Sequence, residues 1–113
     1  METTRQHKVA RLLQKELAEI LQTEGRSFSA SGLITVTAAE VSKDFSFARI
    51  YLSIFGVSDK QLVLNGLNDN KKELRFKLGQ RIKNQLRIVP EISFLLDESL
   101  DYIENIDNLL KRG

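Results

Sequence analysis

The sequence predicts a single α+β domain with helices layered on one face of a three-stranded sheet. Three observations lead there. Long segments near the start and in the second half carry apolar residues at three-and-four spacing, the period of a half-buried helix. Two adjacent β-rich segments flank a polar turn, the pattern of a hairpin. The only proline divides a basic helical segment from a short β-rich run. With 113 residues, 42% of them hydrophobic, and no low-complexity tract or repeat, the chain supports one compact domain.

The first helix runs from Thr4 to Thr23. Val9, Leu12, Leu13, Leu17, Ile20 and Leu21 form its apolar stripe, which faces a core. Arg5, Lys8, Arg11 and Lys15 also step by three or four and share a flank beside that stripe. Glu16 breaks the pattern by projecting into the apolar arc. Gly25 is a stop, and Ser27 to Gly32 reads as a loop.

Leu33 to Val41 and Phe47 to Phe55 are rich in β-branched and aromatic residues, and Ala48, Ile50, Leu52 and Ile54 alternate with Arg49, Tyr51 and Ser53. They form two antiparallel strands joined through Ser42-Lys43-Asp44-Phe45-Ser46, a stretch of turn formers. Ser58 or Asp59 caps a short helix carrying Leu62, Val63 and Leu67, which stops at the helix-poor run Asn68-Asp69-Asn70.

A late helix spans about Lys71 to Leu86 on the apolar line Leu74, Leu78, Ile82 and Leu86. Lys72, Lys83 and Arg87 project to one side of it, and Lys77 and Arg81 to the other. Pro90 ends it. Ile92 to Leu96 is the third strand. A final helix from Asp97 to Lys111 carries Leu100, Ile103, Ile106, Leu109 and Leu110 in register.

Several chemistries lack their residues. There is no Cys, and His7, the only His, lies on the charged opening of the first helix, so thiol catalysis, disulfide scaffolds and zinc ribbons are excluded. No nucleophile–base pair is legible, and no enzyme activity is expected. Asp97, Glu98, Asp101, Glu104 and Asp107 lack the glycine-punctuated spacing of a calcium loop and read as the wet face of the last helix. The glycines match neither phosphate-loop pattern. No cofactor and no metal are expected. No apolar stretch approaches the length of a membrane span and no signal-peptide block follows Met1, so a soluble, cytoplasmic protein is expected.

Charge placement says more than the net +2. Residues 71–87 hold seven basic side chains against one acidic, while residues 88–113 hold two against six. A concentrated basic segment within a near-neutral chain is how a polyanion-binding face looks in sequence. A solvated helix face has the same composition, so the charge alone leaves both open.

The helix-strand-strand-helix-helix-strand order resembles the KH fold of bacterial (type II) topology, here with an added C-terminal helix. KH domains clamp single strands through Gly-x-x-Gly, which occurs nowhere in this chain. Thr35-Val36-Thr37, Glu40-Val41-Ser42-Lys43-Asp44, Ala48-Arg49-Ile50-Tyr51-Leu52-Ser53 and Leu86-Arg87-Ile88-Val89-Pro90-Glu91-Ile92-Ser93-Phe94 with Asp97-Glu98-Ser99 resemble the ribosome-binding factor A family. Arg5 with Lys8-Val9-Ala10, Lys15-Glu16-Leu17-Ala18-Glu19-Ile20-Leu21 and Leu74-Arg75 resemble its first and late helices. Together these segments span nearly the whole chain.

The resemblance implies a KH-like fold in which a helix kink replaces the glycine loop. It also implies a non-catalytic bacterial factor that binds the immature small ribosomal subunit, near the 5′ terminal helix of its RNA, and assists late maturation, above all in the cold. Small-subunit assembly GTPases are implied as indirect partners, and a monomer is expected. The chain departs from the family twice. It reads Asn70-Lys71-Lys72-Glu73 where the family kink usually carries Ala-x-Gly, and it stops at Gly113, where many relatives continue into a charged tail.

Phosphate and shape recognition then falls to the cations. Lys72, Lys77, Arg81, Lys83 and Arg87 come first, Arg75 next. Arg5, Lys8, Arg11 and Lys15 form a second stripe that joins them only if the first and late helices pack side by side. Lys43 on the hairpin is a further candidate. Phe45, Phe47 and Tyr51 are expected in core packing rather than base stacking. A KH-like module acting outside the ribosome and a protein-interaction domain stand as the other readings.

Overall fold

The computed structural model describes residues 3–24 and 32–97. Its elements in chain order are α1 (Thr4–Glu24), β1 (Leu33–Val41), β2 (Phe47–Phe55), α2 (Lys60–Asp69), α3 (Lys71–Ile82) and β3 (Glu91–Leu96). Of the expected C-terminal helix, Asp97 to Lys111, only Asp97 is described, just past β3 with its N–H donating to the Leu52 carbonyl at 2.7 Å. The rest of it and most of the loop from Ser27 to Gly32 lie outside the described residues.

Helix α1 starts with a reciprocal cap. The Thr3 Oγ1 accepts the Gln6 backbone N–H at 3.1 Å, and the Gln6 side-chain oxygen accepts the Thr3 N–H at 2.9 Å, so two donors of the first turn are satisfied together. Gln6 is buried, and its Nε2 donates to the Val41 carbonyl at 2.9 Å. One side chain thus starts the helix and ties it to the end of β1. Leu13 and Leu17 on the same face are fully buried, each contributing roughly 1.5–3 kcal/mol.

The sheet order is β1-β2-β3, with β1 antiparallel and β3 parallel to β2. Ala48, Ile50, Leu52 and Ile54 are buried against the helical layer. On β1 the inward positions change parity, from Ile34 and Val36 to Ala39 and Val41, which pair with Ile54, Leu52, Ile50 and Ala48 respectively. An irregularity in the register between Val36 and Ala38 accommodates the change. Without an extra residue there, Val41 would turn to the outer face. Gln14 of α1 donates toward the Val36 and Thr37 carbonyls at this bulge, at 3.4 and 3.3 Å.

The parallel return to β3 requires a crossover, which α2 and α3 supply. Asp59 caps α2 by accepting the Leu62 N–H at 3.1 Å. At the other end, Asn70 alone forms the joint. Its backbone and side-chain N–H groups both donate to the Gly66 carbonyl, at 3.2 and 2.8 Å, and its own carbonyl accepts the Leu74 N–H at 3.1 Å. One residue therefore closes α2 and opens α3 where the sequence has neither Gly-x-x-Gly nor Ala-x-Gly. Two positions earlier, the Asn68 amide pairs with the Phe94 backbone, donating to its carbonyl at 3.1 Å and accepting its N–H at 3.0 Å. This fastens α2 to β3.

Helix α3 ends at Ile82, one turn before the expected Leu86. Asn84 is a weak helix former, and Val89 is held extended by the following Pro90. The Gln85 and Leu86 N–H groups both turn back to the Ile82 carbonyl, at 2.8 and 3.0 Å, which tightens the last turn. Leu86 still packs against the core, but Arg87 stands beyond the helix. Pro90 is fully buried.

Candidate nucleic-acid interface

Helix α1 packs beside α3, and the sequence-predicted cations divide between the seam of this pair and its solvent faces. In the seam, the Arg81 Nε lies 2.6 Å from the Glu16 Oε2 and its Nη2 bonds Glu19. The Lys77 Nζ lies 2.7 Å from the Glu24 Oε1 and 3.5 Å from the Glu73 Oε1. The helices are antiparallel, since Glu24 meets Lys77 while Glu16 and Glu19 meet Arg81. Glu16, anomalous in the apolar arc, is the partner that Arg81 requires. These hydrogen bonds, Glu16 foremost for Arg81 and Glu24 for Lys77, raise the pKa of both cations above their ordinary values, so both stay charged throughout the physiological range.

Arg81→Ala leaves the Glu16 side chain, only 15% exposed, with an unpaired charge between two helices. Thermal unfolding of this variant is expected a few degrees lower, and adding Glu16→Ala recovers part of the loss. Lys77, on a wetter pair, is expected to matter less.

Arg75 is engaged differently. Its Nε and Nη2 donate to the Pro90 and Val89 carbonyls at 3.0 and 2.5 Å, holding the approach to β3 while the guanidinium stays exposed. Lys72 and Lys83 are exposed on the outer flank of α3 and line a shallow groove of about 470 Å³ with Arg75, Phe76, Gly79, Gln80 and Val89. A neighbouring groove shares Lys72 and Arg75 and adds Lys71, Phe47, Glu91 and Ile92.

On α1, Lys8, Arg11 and Lys15 are exposed opposite the buried stripe. Arg5 and Arg87 meet at a cavity of about 210 Å³ lined also by Asp44, Phe45 and Ile88. There the Arg5 guanidinium lies 5.1 Å from the centre of the Phe45 ring, a cation–π distance. Lys43 is exposed at the adjacent hairpin tip. None of Lys8, Arg11, Lys15, Lys43, Lys72, Lys83 and Arg87 is ion-paired among the described residues. Two unpaired basic surfaces therefore flank a seam whose cations are neutralised.

The hairpin tip is held by Asp44, which accepts from the Ser46 hydroxyl at 2.7 Å, the Ser42 hydroxyl at 2.8 Å and the Ser46 N–H at 3.1 Å. These bonds, the Ser46 hydroxyl first, lower its pKa from 3.8 to about 2. A carboxyl depressed on folding stabilises fully above its unfolded pKa and loses that contribution as pH falls toward the folded one. Asp44→Ala is therefore expected to be less stable than the parent at neutral pH, with the gap in chemical unfolding closing between about pH 4 and pH 2. Phe45 sits at φ 60°, a strained conformation for an aromatic residue. Its ring packs against the core, consistent with the expectation for it.

Phe47 departs from the core-packing expectation, being 39% exposed. Sequence reasoning also passed over Phe76, which is 66% exposed. The signal was present: position 76 lies two residues past Leu74, about 200° around the helix and away from the Leu74, Leu78 and Ile82 line. Among the described residues no helix is long and apolar enough to cross a membrane.

The family model described as Ribosome-binding factor A matches residues 5–110. A curated Ribosome-binding factor A from Cytophaga hutchinsonii is 44% identical over 112 residues, which cover 99% of this chain and 84% of that protein. Among solved structures, the crystal structure of ribosome-binding factor A from Thermus thermophilus superposes with a TM-score of 0.69 at 26% identity, covering 80% of this chain and 94% of that one. A homology model of the Thermus thermophilus factor, fitted into a cryo-EM map of a 30S–RbfA complex, gives 0.64 at 28% identity, covering 77% and 89%.

Proposed function

Because the chain belongs to the ribosome-binding factor A family, we propose that it binds the small ribosomal subunit in the bacterial cytoplasm and assists its late maturation without catalysing a reaction. The observation that carries this reading is the family match across residues 5–110. The fitted Thermus complex supports the choice of subunit. The whole chain acts as one KH-like ribosome-binding domain and as a monomer.

Ribosomal RNA presents a dense phosphate array, and cations that neutralise phosphates gain affinity by releasing counterions. Lys72, Lys83 and Arg87 with Lys8, Arg11 and Lys15 make the main phosphate contacts, and Arg5, Arg75 and Lys43 extend them. Lys77 and Arg81 hold α1 against α3, and so set the spacing of the two basic surfaces. Recognition rests on phosphate position and RNA shape, because the Gly-x-x-Gly clamp is missing.

The factor acts near the 5′ terminal helix of the small-subunit RNA, supports its processing most in the cold, and leaves the subunit through the action of assembly GTPases. Co-sedimentation with purified small subunits, large subunits and short single-stranded RNA over a salt series tests the reading. Selective small-subunit binding that weakens steeply with salt is expected. Equal binding to every RNA would overturn subunit selectivity in favour of a generic KH-like module, and binding that ignores RNA would favour a protein-interaction domain.

A further inference from the structure

Phe76 stands on the outer flank of α3 with two-thirds of its surface in water, and no core contact accounts for a large aromatic there. Its surroundings are cationic. Lys72, Arg75 and Lys83 share its groove, and the adjoining groove adds Lys71 against a single acid, Glu91. Along the helix axis, Lys72 lies about 6 Å before the ring and Lys83 about 10 Å after it. Gly79 lines the same groove. A Cβ at Gly79 would come within 3.2 Å of the Val89 Cγ2, so the bare backbone lets the Val89 segment close against α3 and form the far wall of the groove.

We propose that Phe76 is a stacking platform for an unpaired RNA base, with Lys72 and Lys83 taking the phosphates on either side. The proposal rests on the small-subunit reading and adds to it a contact that phosphate neutralisation alone does not supply. A strand laid along α3 meets a cation, an aromatic face and a second cation in turn, the arrangement by which proteins hold single strands without reading their sequence. Every nucleobase has a π-face, so the platform tolerates any base. The positive surroundings favour a polyanion carrying flat rings over an apolar or basic protein surface.

Since the chain has no Trp, Phe76→Trp installs a unique fluorophore at the platform. Two probes of about ten units are compared, single-stranded oligoadenylate and an abasic ribose–phosphate chain carrying the same charge. Oligoadenylate is expected to quench the indole emission of this variant strongly, while the abasic chain binds with little quenching. Phe76→Leu is expected to weaken oligoadenylate binding about 5- to 20-fold and leave abasic binding unchanged. On small subunits, Phe76→Leu weakens binding and Phe76→Trp restores it.

Equal quenching by the two probes, or a Phe76→Leu variant that matches the parent on oligoadenylate, overturns the proposal. So does a Phe76→Leu variant that loses small-subunit affinity while both probes bind it as they bind the parent, because Phe76 would then dock on ribosomal protein. If oligoadenylate alone quenches but the parent chain fails to bind small subunits, the stacking platform stands and the small-subunit reading falls.

Discussion

Reversing the two unpaired lysines of the outer α3 flank, Lys72→Glu/Lys83→Glu, is expected to lower small-subunit affinity roughly 30- to 100-fold near physiological salt and to flatten the dependence of log K on log salt by about 1.4–1.8. Both ammonium groups are exposed, and neither is ion-paired among the described residues, so the variant keeps its fold and the loss reports on binding. The matched reversal Lys77→Glu/Arg81→Glu serves as a contrast. It sets glutamates against Glu16, Glu19, Glu24 and Glu73 at the α1–α3 seam, and its expected first effect is on stability. Urea unfolding of both variants, run beside co-sedimentation, separates the two. If the seam variant alone lost binding while remaining as stable as the parent, the assignment of roles between the two sets of cations would be wrong.

Phe94→Ala is expected to have the largest effect on folding, about 3–5 kcal/mol out of the roughly 5–15 kcal/mol typical of a domain. Phe94 is 2% exposed on β3, paired with Ile50 of β2, while Asn68 of α2 holds its backbone. Truncation opens a cavity where the crossover helices meet the sheet. Urea denaturation of Phe94→Ala with Asn68→Ala as companion checks this. The companion keeps the core intact but strips the Phe94 N–H and C=O of their partner, at a cost of about 1–3 kcal/mol.

The elements that rest on local periodicity were legible without coordinates. Both hairpin strands fall where β-branched alternation placed them, and α1 differs from its expected span by one residue. What the sequence concealed is non-local. Glu16 reads as a flaw in an amphipathic stripe until Arg81, 65 residues away, is placed beside it. The Asn68 amide looks like helix-breaking polarity until β3 arrives to pair with it. The shortened α3 reflects the need to turn toward Pro90 and a parallel strand, a demand that outweighs the apolar spacing reaching Leu86.

The cations show the same division. Composition located the basic segment in residues 71–87, but side-chain charge on a helix does not say which neighbour neutralises it. Only the antiparallel packing of α1 on α3 separates Lys77 and Arg81 from Lys72 and Lys83. Phe76 was readable as an aromatic off the apolar line, and its significance depends on the lysines that share its groove.

If the solvent faces of α1 and α3 form one RNA-facing surface, the lysines of both must be shielded together on the subunit, which lysine footprinting reads residue by residue. The chain is acetylated free and bound to small subunits, and each lysine is followed by mass spectrometry. Lys60 is the internal control, since its ammonium lies 5.7 Å from the centre of the Phe55 ring, and Phe55 belongs to the sheet face turned away from the helices. Protection of Lys8, Lys15, Lys72 and Lys83 on the subunit, with Lys60 unchanged, is the predicted result. Lys72 and Lys83 reacting as fast on the subunit as in the free chain would contradict it.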